Sequence, residues 1–443
     1  MIIIKGFDKA KSLLNRDIPF EFSQVSIQPK DKETKKGLSP EQIVKRIIAE
    51  VQHKGDKALF YYTKKLDKIK LSSLEITPAE IALAYEKVDK KLVAALNLAA
   101  ERIYAFHSAC KRDIETAHFN HGVGREIRPL NKVGIYAPGG TAAYPSTVLM
   151  TALPARAAGV KEIIMVTPAQ QDGTIPAPTL VAADIAKVNR IFKLGGAQAI
   201  AALAYGTNSV PKVDKICGPG NIFVAAAKKM VFGVVDIDGI QGPSEIIIIA
   251  DDTADISFCA ADLIAQAEHD TMASAILITT STQLATSIDN EIRAQLSKLK
   301  RQTIATEAIN SRGMIVLVDN LNEAIELVNL YAPEHLLLMM RNADSYIDKI
   351  HNAGCICISA SSPVVLGDYI AGPSHVLPTG GTARFSSPLT TESFLKTINI
   401  VALDDNDLKA LGQAVIDIAE AEGLTGHAHA MQLRMQAKKE RLQ

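Results

Sequence analysis

Lys132-Val133-Gly134-Ile135-Tyr136-Ala137-Pro138-Gly139-Gly140-Thr141 is the stretch that decides the fold. The apolar run 133–136 is too short for a helix and breaks at a Pro/Gly loop, after which a helical pattern runs over 146–158. A buried strand, a tight loop and a helix make one unit of a parallel sheet with crossover helices. The unit recurs downstream. Strand 162–166 precedes helix 178–188, strand 190–194 precedes Gly195-Gly196 and helix 197–205, and strand 215–217 precedes Gly218-Pro219-Gly220-Asn221 and a further helix. A second run of the same kind opens at Glu245-Ile246-Ile247-Ile248-Ile249-Ala250. It continues through a helix to Glu268, strand 275–279, helix 285–299, strand 314–318, helix 322–330 and strands 336–339 and 355–358. The expected fold class is α/β, with two Rossmann-like domains on parallel sheets at 132–241 and 242–370. Their shared rhythm suggests duplication, although no residue-level repeat accompanies it.

The flanks differ. Residues 1–38 read as a loosely packed arm carrying the charged run 30–36. Residues 39–131 read as a helical region expected to pack with the second α/β domain. Ser39-Pro40-Glu41-Gln42 and Thr77-Pro78-Ala79-Glu80 are both helix starts, with a hydroxyl N-cap, Pro at N1 and a reciprocal Gln or Glu at N3. Residues 371–443 read as an extended C-terminal tail. It begins in a Gly/Pro/Ser/Thr-rich stretch over 371–391 and ends in helices over 406–421 and 427–443. The last has too little apolar surface to fold alone.

Composition narrows the function. In 443 residues, 48 basic side chains balance 48 acidic ones, and there is no basic stripe to draw nucleic acid or an anionic membrane. No apolar run approaches the roughly 20 residues that span a bilayer, and no secretory leader is evident. Five cysteines, odd in number and without a CxxC pair, fit a reducing compartment, so the chain is expected in the cytoplasm. Cys355 and Cys357 alternate on one strand, where two small buried residues are the simpler reading and a shared metal the other.

Ligands of open parallel sheets collect in the loops at the C-terminal ends of strands. Four Gly-containing loops qualify: 136–141, 195–198, 218–221 and 241–244. Glycine lets backbone N–H groups approach a phosphate at a helix N-terminus. No GxGxxG motif is present, so the residues alone specify a phosphate- or nucleotide-sized site, or ordinary packing turns. Gln266 and His269 stand three apart at a helix end, a spacing that puts two metal ligands on one face. Glu268 is the alternative ligand, and His269 is also placed to cap the helix. Asp368 and His427 would complete an N/O site suited to Zn, Mn or Co with room for substrate. In Tyr331-Ala332-Pro333-Glu334-His335-Leu336, Pro333 ends a helix and a strand follows, so Glu334 and His335 sit on the connecting turn. Strand neighbours point to opposite faces, so the two share a site only if that turn is irregular. Otherwise they are a surface carboxylate and a core-edge imidazole.

Eight short motifs then occur in one order: Tyr136-Ala137-Pro138-Gly139-Gly140, the run from Gly196 to Leu203, Gly218-Pro219-Gly220-Asn221, Gly242-Pro243-Ser244-Glu245, Gln266-Ala267-Glu268-His269-Asp270, Ala332-Pro333-Glu334-His335-Leu336, His375-Val376-Leu377-Pro378-Thr379 and Glu422-Gly423-Leu424-Thr425. Together they resemble the histidinol dehydrogenase family from about residue 40 to about residue 440. The resemblance implies oxidation of L-histidinol to L-histidine by two NAD⁺ through a bound aldehyde. It also implies one Zn²⁺ per subunit and a homodimer whose C-terminal tail completes the partner's site. It gives zinc ligands Gln266, His269, Asp368 and His427, and NAD contacts Tyr136, Gln198 and Asn221. Substrate contacts are Ser244, His375 and Glu422 together with the zinc ligands and His335. Glu334 and His335 become the acid–base pair. The chemistry asks for such groups. Removing hydride from an alcohol carbon needs a base on the hydroxyl, which suits the imidazole of His335. Adding water to the aldehyde needs an activating carboxylate, which suits Glu334. Two rivals remain at this stage: a zinc hydrolase using Glu334 or Glu268 on a metal-bound water, and a nucleotide-binding regulatory dimer.

Overall fold

The computed structural model of the chain describes residues 1–16, 39–114, 119–120, 122–139 and 143–441. The charged run 30–36, the loop residues Gly140 and Thr141, and the last two tail residues lie outside them. The chain divides into two compact units, Met1–Lys111 with Leu130–Phe394, and Arg112–Pro129 with Leu395–Gln443. The strands among the described residues are, in chain order, β1 (Ile2–Lys5), β2 (Phe119–Asn120), β3 (Val123–Pro129), β4 (Lys132–Tyr136), β5 (Glu162–Thr167), β6 (Arg190–Lys193), β7 (Lys215–Cys217), β8 (Asp236–Ile237), β9 (Glu245–Ala250), β10 (Ser274–Thr279), β11 (Met314–Leu317), β12 (His335–Met339), β13 (Cys355–Ile358) and β14 (Leu395–Val401).

The larger unit holds two parallel sheets, ordered β6-β5-β4-β7-β8 and β1-β11-β10-β9-β12-β13. Apart from β1, both follow one scheme: the first strand of the run is central, the next two lie to one side and the last two to the other. This is the doubly wound order, and the sense of winding reverses between β4 and β7 in one sheet and between β9 and β12 in the other. The two α/β domains expected from the strand–loop–helix rhythm are therefore present with one topology. Their strands read as continuous apolar runs because helices cover both faces. In β9, Ile246 and Ile248 belong to one core, while Ile247 and Ile249 belong to the core on the opposite face.

Three boundaries differ from the sequence reading. The start of the chain is no loose arm. β1 pairs in parallel with β11, and helix Phe7–Leu14 buries Ala10 and Leu14 in the second sheet's core. A four-residue edge strand has no periodicity to announce it. The helical region packs on the first sheet instead of the second. Helix Pro40–Lys54 lays Val44, Ile47, Ile48 and Val51 against the alanine-rich helices Gly196–Tyr205 and Ile222–Val231. An amphipathic stripe says that a helix docks but not where, and the small side chains of those two helices are what admit a close neighbour. Both expected capping boxes are formed, by Ser39 with Gln42 and by Thr77 with Glu80. Finally, residues 371–394 belong to the larger unit, and the tail begins with a strand. β14 pairs antiparallel with β3, which itself lies inside the region read as helical.

The smaller unit consists of the sheet β14-β3-β2 and helices Asp405–Ala421 and Thr425–Arg441. Its own core is slight: Ile416, Ala419 and Ala428, flanked by Met431 and Met435. Ile398, Val401, Leu411, Ile418 and Leu433 are exposed.

Candidate active site

Pro333 disfavours the right-handed helical region for the residue before it. Helix Leu321–Tyr331 accordingly ends on Ala332 in the left-handed region (φ 52°, ψ 66°), its N–H still bonded to the Val328 carbonyl at 2.8 Å. The irregular turn that the sequence required is this one. It delivers both side chains to one place: Glu334 Oε2 lies 3.7 Å from His335 Nδ1.

The backbone of Glu245, first residue of β9, holds the pair. Its N–H donates to Glu334 Oε2 at 2.8 Å, and its carbonyl meets His335 Nδ1 at 3.3 Å. On its other edge, His335 Nε2 lies 3.1 Å from Asp368 Oδ1. Burial alone would lower the imidazole's pKa, but the carboxylates of Glu334 and Asp368 outweigh it and hold the value well above the ordinary one. Burial would raise Asp368, and the bond and charge of His335 overcome that and keep it below the usual carboxylate range. The imidazole is thus flanked by two anions, each ring nitrogen facing an acceptor. His375 Nδ1 contacts the Asp368 carbonyl at 2.7 Å, and burial pushes its pKa down.

These groups line a cleft of ≈ 610 Å³. One wall is made by the loops after β4 and β7, including Tyr136, Gly139 and Asn221. These are the C-terminal ends at the first sheet's switch point, where a ligand is expected. The facing wall is made by Ser244, Gln266, His269, Glu334, His335 and Asp368, gathered at the N-terminal ends of β9 and β12. The second sheet therefore presents its opposite end to the site. Tyr136 uses its hydroxyl to accept the Gly196 N–H at 3.1 Å, and burial lifts its pKa to about 12. Asn221 caps helix Ile222–Val231 through Oδ1, which accepts the N–H groups of Phe223 and Val224, so only its NH₂ is available to a ligand. Gln198 is fully buried with neither amide atom bonded among the described residues, and is absent from the cleft lining. Glu422 and His427 lie in the smaller unit and are exposed there.

Gln266, His269 and Asp368, three of the four expected metal ligands, line this one cleft. Gln266 is buried, and its Nε2 faces Glu334 Oε2 at 3.4 Å, so the amide oxygen, the atom that binds metals, is turned away from the carboxylate. The donor set of one imidazole, one carboxylate and one amide fits a borderline cation with open positions. Among the described residues, no three His, Cys, Asp or Glu side chains are clustered closely enough to hold an ion by themselves.

Sequence reasoning passed over Glu245 and Arg16. Glu245 is 5% exposed, and Arg16 grips its carboxylate with two nitrogens (2.8 and 3.1 Å) while stacking at 3.4 Å on the Tyr331 ring. A carboxylate opening an otherwise all-aliphatic strand was the available signal. Arg16→Ala strands that charge, and a loss of about 3 kcal/mol in unfolding free energy is expected. The pH dependence follows from the sign of the shift. Burial raises the Glu245 carboxyl and Arg16 opposes it, with a net upward shift. Without Arg16 the proton is held to still higher pH. The variant's deficit is then complete above its folded pKa and shrinks as pH falls towards the ordinary carboxylate range. Urea titrations of both proteins across that range check it, and a deficit that does not change with pH would refute the ion-pair account.

A doubly wound sheet whose switch-point loops line one cleft with Glu334 and His335 defines a two-domain α/β protein with a candidate ligand site at that cleft. Comparison with known proteins gives the family. The sequence profile of the histidinol dehydrogenase family matches residues 30–435. Histidinol dehydrogenase of Dehalococcoides mccartyi (strain CBDB1) is 52% identical over 437 residues, covering 98% of this chain and all of that protein. That of Clostridium acetobutylicum is 50% identical over 407 residues, 91% of this chain and 94% of the relative. The crystal structure of histidinol dehydrogenase from Elizabethkingia anophelis superposes with a TM-score of 0.90 at 36% identity, covering 99% of both chains. The chain belongs to the histidinol dehydrogenase family, and is thereby an oxidoreductase of histidine biosynthesis.

Proposed function

We propose that this protein oxidises L-histidinol to L-histidine in two steps, consuming two NAD⁺ and one water, with histidinaldehyde held between the steps. The observation that carries the reading is His335 bridging Glu334 and Asp368 across the cleft from the loops of β4 and β7. NAD⁺ would lie against those loops, with Tyr136 and Asn221 as contacts; Gln198, expected as a third, is buried outside the cleft lining. In the first oxidation the neutral form of His335, which the two flanking carboxylates disfavour, accepts the hydroxyl proton while hydride leaves the carbinol carbon for the nicotinamide. In the second, Glu334 draws a proton from water as the oxygen adds to the aldehyde carbon, and a second hydride departs. Ser244, His375 and Glu422 would hold the substrate. Incubation with histidinol and NAD⁺ should yield two NADH per histidine. One NADH, or none, overturns the four-electron reading, and hydrolysis of an ester or amide without NADH would favour a hydrolase.

Zn²⁺ would be held by Gln266, His269, Asp368 and His427, and it supplies a Lewis acid that orients the amine and imidazole of the substrate. His269→Ala is expected to lose zinc and activity together with little change in thermal stability. Zinc retained at wild-type stoichiometry, measured by atomic absorption, would sink the assignment. We further propose a homodimer in which His427 and Glu422 serve the site of the other subunit. Supporting this are the slight core of the smaller unit and its exposed apolar side chains, Val401 at 72% and Ile418 at 61%. Five cysteines, odd in number and without a CxxC pair, are in keeping with the cytoplasm. No helix among the described residues is long and apolar enough to cross a membrane.

A further inference from the structure

Helix Ile222–Val231 turns a lysine inward. Lys228 sits on the face that buries Val224 and Val231, and it is only 1% exposed. Its ammonium donates to the Gly218 carbonyl at 3.0 Å and to Gln241 Oε1 at 2.8 Å, and it pairs with Asp238 Oδ1 at 2.5 Å. The Asp238 carboxylate is as deeply buried, and its other oxygen accepts the Gly218 N–H at 2.7 Å. Both polar groups of one glycine are therefore held by two opposite charges that neutralise each other. Gly218 has φ +110°, and a Cβ there would run into the Tyr136 carbonyl. The loop is pinned from beneath by the pair and from the side by β4. Pro219, Gly220, Asn221 and Gln241 face the cleft.

A buried ion pair is a poor way to stabilise a fold, since well-packed apolar residues of similar volume do as well or better. It is a good way to fix the position of particular polar groups. Here those groups belong to the β7 loop and to the segment that leads from the first sheet to Ser244 and β9. We propose that Lys228 and Asp238 are positioning residues for the cofactor side of the cleft, holding the Gly218-Pro219-Gly220-Asn221 loop and Gln241 in the arrangement that receives NAD⁺. This rests on the reading of that wall as the NAD⁺ site.

Lys228→Met alone leaves a buried carboxylate without a partner and is expected to impair folding. The informative protein is Lys228→Met with Asp238→Asn. It carries no unpaired charge, retains an oxygen for the Gly218 N–H, and loses the ammonium that ties Gly218 to Gln241. Its melting temperature should stay near that of the wild type. Its dissociation constant for NAD⁺, measured by calorimetry, should rise about tenfold or more. The KM for histidinol should be unmoved. A purely structural pair would change the melting temperature and leave NAD⁺ affinity alone. Wild-type NAD⁺ affinity in the folded double variant overturns the inference and spares the functional reading. A wild-type protein that takes up no NAD⁺ overturns that reading and the inference with it.

Discussion

His335→Ala is expected to slow both oxidations by about 10²–10⁴-fold, the range over which a positioned acid–base group contributes. Each oxidation must lose a proton from oxygen as hydride leaves carbon, and among the described residues His335 is the imidazole that lies between two carboxylates. It is 5% exposed and is gripped at both nitrogens, by the Glu245 carbonyl and by Asp368. Glu334→Gln should behave differently. The amide oxygen can still accept the Glu245 N–H that now bonds Glu334, so the turn is kept and only the charge is lost. The first oxidation then continues, while water addition to the aldehyde fails. Supplying histidinaldehyde directly, with NADH followed in single turnovers, separates the steps. Oxidation of the aldehyde at the wild-type rate by Glu334→Gln would remove Glu334 from the water-activating role. Equal slowing of both steps would show the pair acting as one base.

Much of this arrangement could be read from residue order, because the features concerned are local. The strand–loop–helix units, both capping boxes and the break at Pro333 each follow from a few neighbouring residues. What stayed hidden depends on distant partners. The edge strand Ile2–Lys5 is recognisable only beside β11, and the apolar face of helix Pro40–Lys54 gave no sign of which sheet it covers. The turn after Pro333 was local enough to place Glu334 and His335 at the start of the next strand, as β12 shows. That Glu245, which begins β9, lies beside them depends on pairing between distant strands and was not legible. Lys228 could have been suspected from a lone charge on an apolar helical stripe. Its partners Gly218 and Asp238, ten residues away on either side, could not.

The second large effect concerns His427. It lies in the smaller unit, exposed, on a helix whose unit has only a slight core of its own, while Gln266, His269 and Asp368 line the cleft of the larger unit. If the histidine serves a second subunit, two inactive variants should rescue one another. His335→Ala and His427→Ala, each dead alone, are unfolded together in equal amounts and refolded. In a mixed dimer the His427→Ala subunit keeps its own His335 and receives an intact His427 from its partner, so one of the two sites is whole. Random pairing makes half of the dimers mixed, and activity should return to roughly a quarter of wild type. If His427 serves its own subunit, each subunit lacks one of the two residues and nothing returns. Mixed dimers shown to be present by differential tagging, yet silent, would refute the shared site.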